Sequence, residues 1–252
     1  MRHIGLFMII PLLITACGKK GALIYPEMLV AAAPISFTAR QAGQNMKLSF
    51  DLPQKDRAGR NLKNLSGIKI LKREAPAGQG AGCSACTSDF TLFRTLYLDV
   101  PDEVQRYGNL LVLLDGDVKS EREYTYRAVA FTKDGVEGEM TAPFLTTMVQ
   151  SPPPPVLKII PAPTEIRVEF EKKMPVMGIF EGYNLYRAVK GEAFPYLPLN
   201  GKPFVANSFV DTGLDRSVVY TYVGRTVIRM PSKELVESGP SNKVEAALKE
   251  EE

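Results

Sequence analysis

At 252 residues the chain is long enough for two units of roughly 100 to 150 residues, each with its own core. Hydrophobic residues make up 45% and charged residues 23%, and the formal charge of +3 is too small and too mixed for a nucleic-acid surface, so no nucleic-acid partner is expected. The only histidine, His3, lies in an N-terminal leader and there are three cysteines, which excludes imidazole catalysis, a four-thiolate zinc centre and a dense disulfide framework from the mature protein.

Met1-Arg2-His3 is a short basic region, and Ile4 to Ile14 is an apolar run interrupted only by Gly5 and Pro11. A bilayer span takes about 20 apolar residues, whereas a secretory core takes about 7 to 15, so this is a targeting segment. Ile14-Thr15-Ala16-Cys17 resembles the bacterial lipobox. An ordinary signal peptide with an incidental cysteine is the alternative. The resemblance implies that Cys17 becomes the first mature residue and carries a diacylglycerol and an amide-linked fatty acid such as palmitate. Several acyl chains anchor a protein stably to a membrane. Gly18 in the second mature position, where aspartate marks inner-membrane retention, implies an outer-membrane lipoprotein. Residues Gly18 to Pro26 also resemble the opening of a short lipoprotein family associated with the lipopolysaccharide translocon, with Ala22 where that family has proline. The alternative function this implies is an assembly factor at the lipopolysaccharide export machinery.

Further along, Met46, Leu48, Phe50 and Leu52 alternate with Lys47, Ser49 and Asp51, the period of a strand with one apolar face. Ile68 and Ile70 mark another strand. Ala75 to Ser88 is a Gly/Ala-rich loop ending in Cys83-Ser84-Ala85-Cys86, and Pro101 to Tyr107 is expected to form a short helical turn. Asp115-Gly116-Asp117 lacks the other oxygen ligands of a calcium loop and reads as a turn, its acids expected to be solvated with Asp89, Asp99 and Glu103. Gln150 to Val156, with four consecutive prolines, is an extended, semi-rigid spacer and the clearest boundary in the chain. Beyond it Ile166, Val168 and Phe170 alternate with Arg167, Glu169 and Glu171, and Tyr183 and Leu185 mark a further strand. Lys243 to Glu252 is expected to fray into helix.

The two halves repeat. Tyr124-Thr125-Tyr126 recurs as Tyr220-Thr221-Tyr222 ninety-six residues later, and Asp115 and Asp211 each stand nine residues before the first tyrosine of their pair. Leu65 to Arg73 parallels Phe180 to Arg187. A duplicated all-β sandwich follows. The expected organisation is a signal peptide over 1–16, a lipidated N-terminus and tether over 17–27, a first sandwich over 28–149, a linker over 150–155, a second sandwich over 156–248 and an acidic tail over 249–252.

At these residues the chain resembles the fibronectin type III family, a branch of the immunoglobulin-like sandwiches. Pro152 to Val156 stands as the Pro-rich entry to strand B, and Gly182-Tyr183-Asn184-Leu185-Tyr186-Arg187 resembles strand C of bacterial members. Phe209 to Thr212 falls at strand E, Tyr220 to Tyr222 opens strand F, and Gly239 to Asn242 is the small-residue entry to strand G. In the first half Phe50 to Pro53, Gly67 to Arg73, Tyr124 to Ala130 and Gly138 to Pro143 follow in the same order. The family's strand B tryptophan is missing, with Phe50 and Phe170 in its place, and Ala128 and Gly224 stand where a branched aliphatic is usual. The resemblance implies that Tyr124 and Tyr220 are structural tyrosine corners.

From Gly67 to Tyr124 is 57 positions and from Gly182 to Tyr220 only 38, so the first half is nineteen residues longer there, and the excess includes the cysteine pair. With Cys17 acylated, two thiols remain, and in an oxidising envelope an even remainder favours a Cys83 to Cys86 disulfide that staples the loop. A thioredoxin-like redox site is the competing reading, though it would want a strand before the pair and a helix after it. Covalent haem would need histidine at Thr87. The function expected is that of a lipid-anchored cell-envelope binding or scaffolding protein, without cofactor, metal or catalytic residues. Its partners would be the membrane through Cys17 and an envelope protein or polysaccharide met by the long loop of the first sandwich.

Overall fold

The computed structural model describes residues 25–78, 89–100 and 104–250, whose regular structure is almost all strand. In the first half, β2 (Asn45–Asp51) lies between β1 (Ile35–Ala42) and β6 (Leu110–Asp115), and β5 (Gln105–Tyr107) extends this sheet beyond β6. The facing sheet places β3 (Leu65–Pro76) between β4 (Thr91–Tyr97) and β7 (Arg122–Thr132), with β8 (Glu137–Met140) and β9 (Phe144–Met148) in series along β7. The alternation at 46–52 sends Met46, Leu48 and Phe50 inward, against Ile68, Ile70, Tyr124 and Tyr126 of the other sheet. Each such side chain taken out of water contributes roughly 2 kcal/mol, which holds the two layers together.

The second half repeats the plan. β11 (Glu165–Glu171) pairs with β10 (Val156–Pro161) and β13 (Ser208–Thr212), and opposite them β12 (Ile179–Val189) pairs with β14 (Tyr220–Arg229). The short β15 (Leu235–Glu237) and β16 (Val244–Ala246) run in series along β14. Leu157, Ile166, Val168 and Phe170 meet Tyr183, Leu185 and Tyr222 in a second core. Each half is thus a fibronectin type III-like β-sandwich, its three core strands A, B and E facing C, F and a divided G.

Several details of the repeat have one physical cause each. β3 and β12 both carry a bulge next to a glycine, at Gly67 and Gly182. A Cβ on Gly67 would stand 2.2 Å from the Leu96 carbonyl oxygen, and one on Gly182, where φ is +142°, 2.5 Å from that of Phe204. Backbone passes there at a range only glycine admits. The small residues Ala128 and Gly224 likewise answer to their neighbours: a Cβ on Gly224 would meet the Phe170 ring at 2.8 Å, so this ring fills the space a branched aliphatic would take. Opposite them the last strand of each sandwich is interrupted, and a hydroxyl replaces the missing ladder partner. The Ala128 N–H donates to Thr141 Oγ1 at 3.0 Å and the Gly224 N–H to Ser241 Oγ at 2.9 Å.

Four sequence expectations are corrected. Residues 105–107 form a strand, not a helical turn, because Gly108 (φ +64°) and Asn109 close a two-residue hairpin onto Leu110–Val112. Residues 244–246 are also strand, since Val244, Ala246 and Leu248 pack on the second core while Glu245 pairs outward with Lys190 at 2.8 Å. The prolines lead into β10, and the strand B of Phe170 comes one hairpin later. Gly138 to Met140 lie within β8, and Thr141 to Pro143, like Gly239 to Asn242, interrupt the G strand instead of opening it, since β8 and β15 already pair with β7 and β14 before them.

The proline segment is not a spacer between separate bodies. Pro152 and Pro155 are buried, and β1 of the first sandwich pairs in parallel with β15 of the second at Ala42 and Glu237. The Gly43 N–H donates to the Glu237 carbonyl at 2.9 Å, so one sheet runs through both halves.

Candidate functional site

The repeated tyrosines and aspartates assemble into the same polar constellation in each sandwich. In the first, Asp115 is fully buried at the end of β6, where its Oδ2 accepts from the Tyr126 hydroxyl at 2.7 Å and from Lys72 Nζ at 2.8 Å. Its Oδ1 accepts from the Asp117 N–H at 2.9 Å, and Lys72 also donates to the Asp117 carbonyl and lies over the Tyr124 ring. In the second, Arg187 Nη1 donates to both oxygens of Asp211 at 2.9 and 2.8 Å, and the Tyr222 hydroxyl donates at 2.8 Å. Burial, followed by the adjacent carboxylate, holds both hydroxyls protonated, far above the usual tyrosine range. Asp115 is therefore not the solvated acid expected from the sequence. With its lone pairs engaged and its cation enclosed, it locks strands together and offers no base to a substrate.

Tyr124 and Tyr220 stand two residues earlier on the same strands. The Lys119 N–H donates to the Tyr124 hydroxyl at 2.7 Å and the Asp215 N–H to that of Tyr220 at 3.1 Å, each five residues upstream. Burial raises the Tyr124 hydroxyl above its usual range. Cys17, Cys83 and Cys86 lie outside the described residues, as does most of the loop around the cysteine pair.

The feature the sequence did not announce is the joint between the sandwiches. Lys47 on the outer face of β2 reaches Glu237 Oε1 at 3.1 Å and the Tyr186 hydroxyl at 3.2 Å. Glu237 also accepts from Asn184 Nδ2 at 2.7 Å and from the Tyr186 hydroxyl at 2.8 Å, and Arg225 stands 4.0 Å away. Burial alone would push the Glu237 carboxyl up. Lys47, the Tyr186 hydroxyl and Arg225 outweigh it, and the group sits below the usual carboxylate range. On the other side, Gln41 clamps the start of the linker: its Nε2 donates to the Val149 carbonyl at 2.8 Å and its Oε1 accepts from the Val149 N–H at 3.0 Å. Gln105 Nε2 donates to the Phe194 carbonyl at 2.9 Å, tying the β5 hairpin to the second sandwich.

Beside this network lies a cleft of about 300 Å³, at the small end of ligand-binding cavities. Tyr186, Phe194 and Tyr196 form its aromatic wall and Lys47, Arg225 and Lys243 bring positive charge to it. Glu237 also lines it and pairs with Lys47 and Arg225, so the cleft offers an aromatic, largely charge-compensated surface. The only sequence signal for the joint was Lys47 on the polar side of an amphipathic strand, which is also how an ordinary solvent-exposed lysine looks.

No protein-family model matches the chain, and no curated protein matches it. Among solved structures, a crystal structure of chicken CNTN1 FN1-FN3 domains aligns over 88% of this chain and 68% of its own, at 13% identity and a TM-score of 0.34. The fibronectin type III-like fold of this chain rests on its own strand pairing.

Proposed function

We propose that the chain is a lipid-anchored cell-envelope protein, held by acylated Cys17, whose two sandwiches act together as a non-catalytic binding or scaffolding unit for an envelope protein or polysaccharide. The carrying observation is the joint. A shared sheet and the buried Lys47 to Glu237 network hold the halves in one orientation, as suits a unit that presents a fixed composite surface. The constellations around Asp115 and Asp211 support the same reading, because their charges are consumed inside the strands and not aimed into a cleft. The lipobox and Gly18 support placement at the outer membrane. Labelling with an alkyne fatty acid tests the anchor: label is expected on the wild-type chain and absent from Cys17→Ala. Crosslinking in intact envelopes tests the partner. Deleting residues 78–88 while circular dichroism stays native is expected to abolish capture, and undiminished capture would remove the long loop from the recognition surface.

A further inference from the structure

The connection between β11 and β12 reads Lys172-Lys173-Met174-Pro175-Val176-Met177-Gly178. Its apolar side chains face solvent: Met174 is 71% exposed and Val176 93%, and Ile179 at the start of β12 is 71% exposed. A contiguous apolar tip beside two lysines gives a sandwich nothing in water, where single exposed apolar residues are the norm and clustered ones mark a contact. The loop is not collapsed onto the core. Gly178 lies against the Arg229 carbonyl and the Ile228 side chain, and Lys172 stands 4.0 Å from the centroid of Phe180, so the base is fixed while the tip projects.

The joint sets which way this tip points. Because β1 and β15 are parallel at Ala42 and Glu237, the end of the second sandwich at which β15 begins faces the same side as the end of the first at which β1 begins. Leu235, the first residue of β15, pairs with Arg229, which in turn pairs with Ile179 beside the Lys172 loop. Near the start of β1 lie the first described residue, Tyr25, and the connection between β2 and β3, tied to it by bonds from Arg57 N–H to Val30 and from Ala58 N–H to Met28. That connection carries Lys55, Arg57, Arg60 and Lys63, against Asp56, which Arg60 neutralises at 2.8 Å. On the second sandwich Glu181 is held by Arg229, the connection itself carries no acid, and the flanking acids are Glu171 at the end of β11 and Glu234 beside Leu235. Cys17 stands eight residues before Tyr25, a span of at most about 28 Å when extended.

We propose that residues 172–179 dock into the interfacial layer of an anionic phospholipid bilayer, with Met174, Val176 and Ile179 entering the headgroup boundary and Lys172 and Lys173 facing lipid phosphates. Apolar side chains and nearby cations are the two components by which peripheral segments hold such a surface. The proposal rests on the anchored reading only for bringing a bilayer within reach.

The chain contains no tryptophan, so Val176→Trp in the full chain introduces a single indole fluorophore. With vesicles of phosphatidylethanolamine and phosphatidylglycerol, its emission is expected to shift to the blue and to be quenched by brominated acyl chains. A control Val189→Trp, at the opposite end of the eleven-residue β12 and roughly 33 Å away, is expected to stay unquenched. Lys172→Glu with Lys173→Glu is expected to reduce quenching at least tenfold in apparent affinity. A chain that floats with the vesicles while the Val176→Trp emission stays that of water overturns the docking and leaves the anchor intact. Quenching at Val176→Trp with no acyl mass on Cys17 supports the docking and overturns the anchor. A blue shift before any lipid is added assigns the loop to contact between copies of the chain and overturns the proposal.

Discussion

Lys47 of the first sandwich and Glu237 of the second stand 3.1 Å apart, with about one-seventh of the first side chain and one-ninth of the second left to solvent. The pair crosses from one half of a duplicated sequence to the other and reinforces the backbone pairing of Ala42 with Glu237. The folded-state carboxyl of Glu237 is depressed below its ordinary value of 4.5. Its contribution is therefore present above that value and lost as pH falls through the folded one. Energy transfer between dyes on the two sandwiches is expected to drop in that acid window, and Glu237→Gln is expected to flatten the acid response. Lys47→Met, which leaves a largely buried carboxylate without its nearest cation, is expected to cost about 3 kcal/mol.

The two tyrosines of each repeat should differ in weight. Tyr124→Phe and Tyr220→Phe each remove one neutral hydrogen bond to backbone and are expected to cost about 1 kcal/mol in denaturant unfolding. Tyr126→Phe and Tyr222→Phe remove a bond to a buried carboxylate and are expected to cost about 2 kcal/mol. Equal losses in the two classes would contradict the geometry.

Glycine is required at Gly67 and Gly182 by close approach of backbone, so Gly67→Ala and Gly182→Ala are each expected to destabilise by about 2 kcal/mol or more. Gly201 has nothing within 4 Å of an added Cβ and no positive φ. Gly201→Ala is expected to leave the free energy of unfolding within about 0.5 kcal/mol of wild type in a denaturant titration.

Gln41 is 1% exposed and satisfies both backbone groups of Val149. Gln41→Ala leaves those groups unpaired at the start of the linker. Limited proteolysis is expected to cut between residues 149 and 155 faster than in wild type, with a stability loss of about 2 kcal/mol.

Much of this architecture could be read from local pattern. Alternation at 46–52 and 165–171 identified strands because a two-layer sheet buries every second side chain, and the Tyr-Thr-Tyr repeat with its paired aspartates disclosed the duplication. The lipobox segment and the cysteine pair are read from the sequence alone, as they lie outside the described residues. Local pattern failed at 105–107 and 244–246, where short segments gain their strand conformation from a partner strand and not from their own sequence.

The sandwiches themselves follow from residue order, since each strand's apolar face and each turn glycine are local properties of the chain. The joint does not. Gln41, Lys47, Tyr186, Arg225 and Glu237 lie on polar faces that sequence periodicity assigns to water, and only the packing of one outer face against another turns them into a buried network. The direction of the Lys172 loop is set in the same way, because the parallel pairing of Ala42 with Glu237 is a contact across 195 residues that no local pattern encodes.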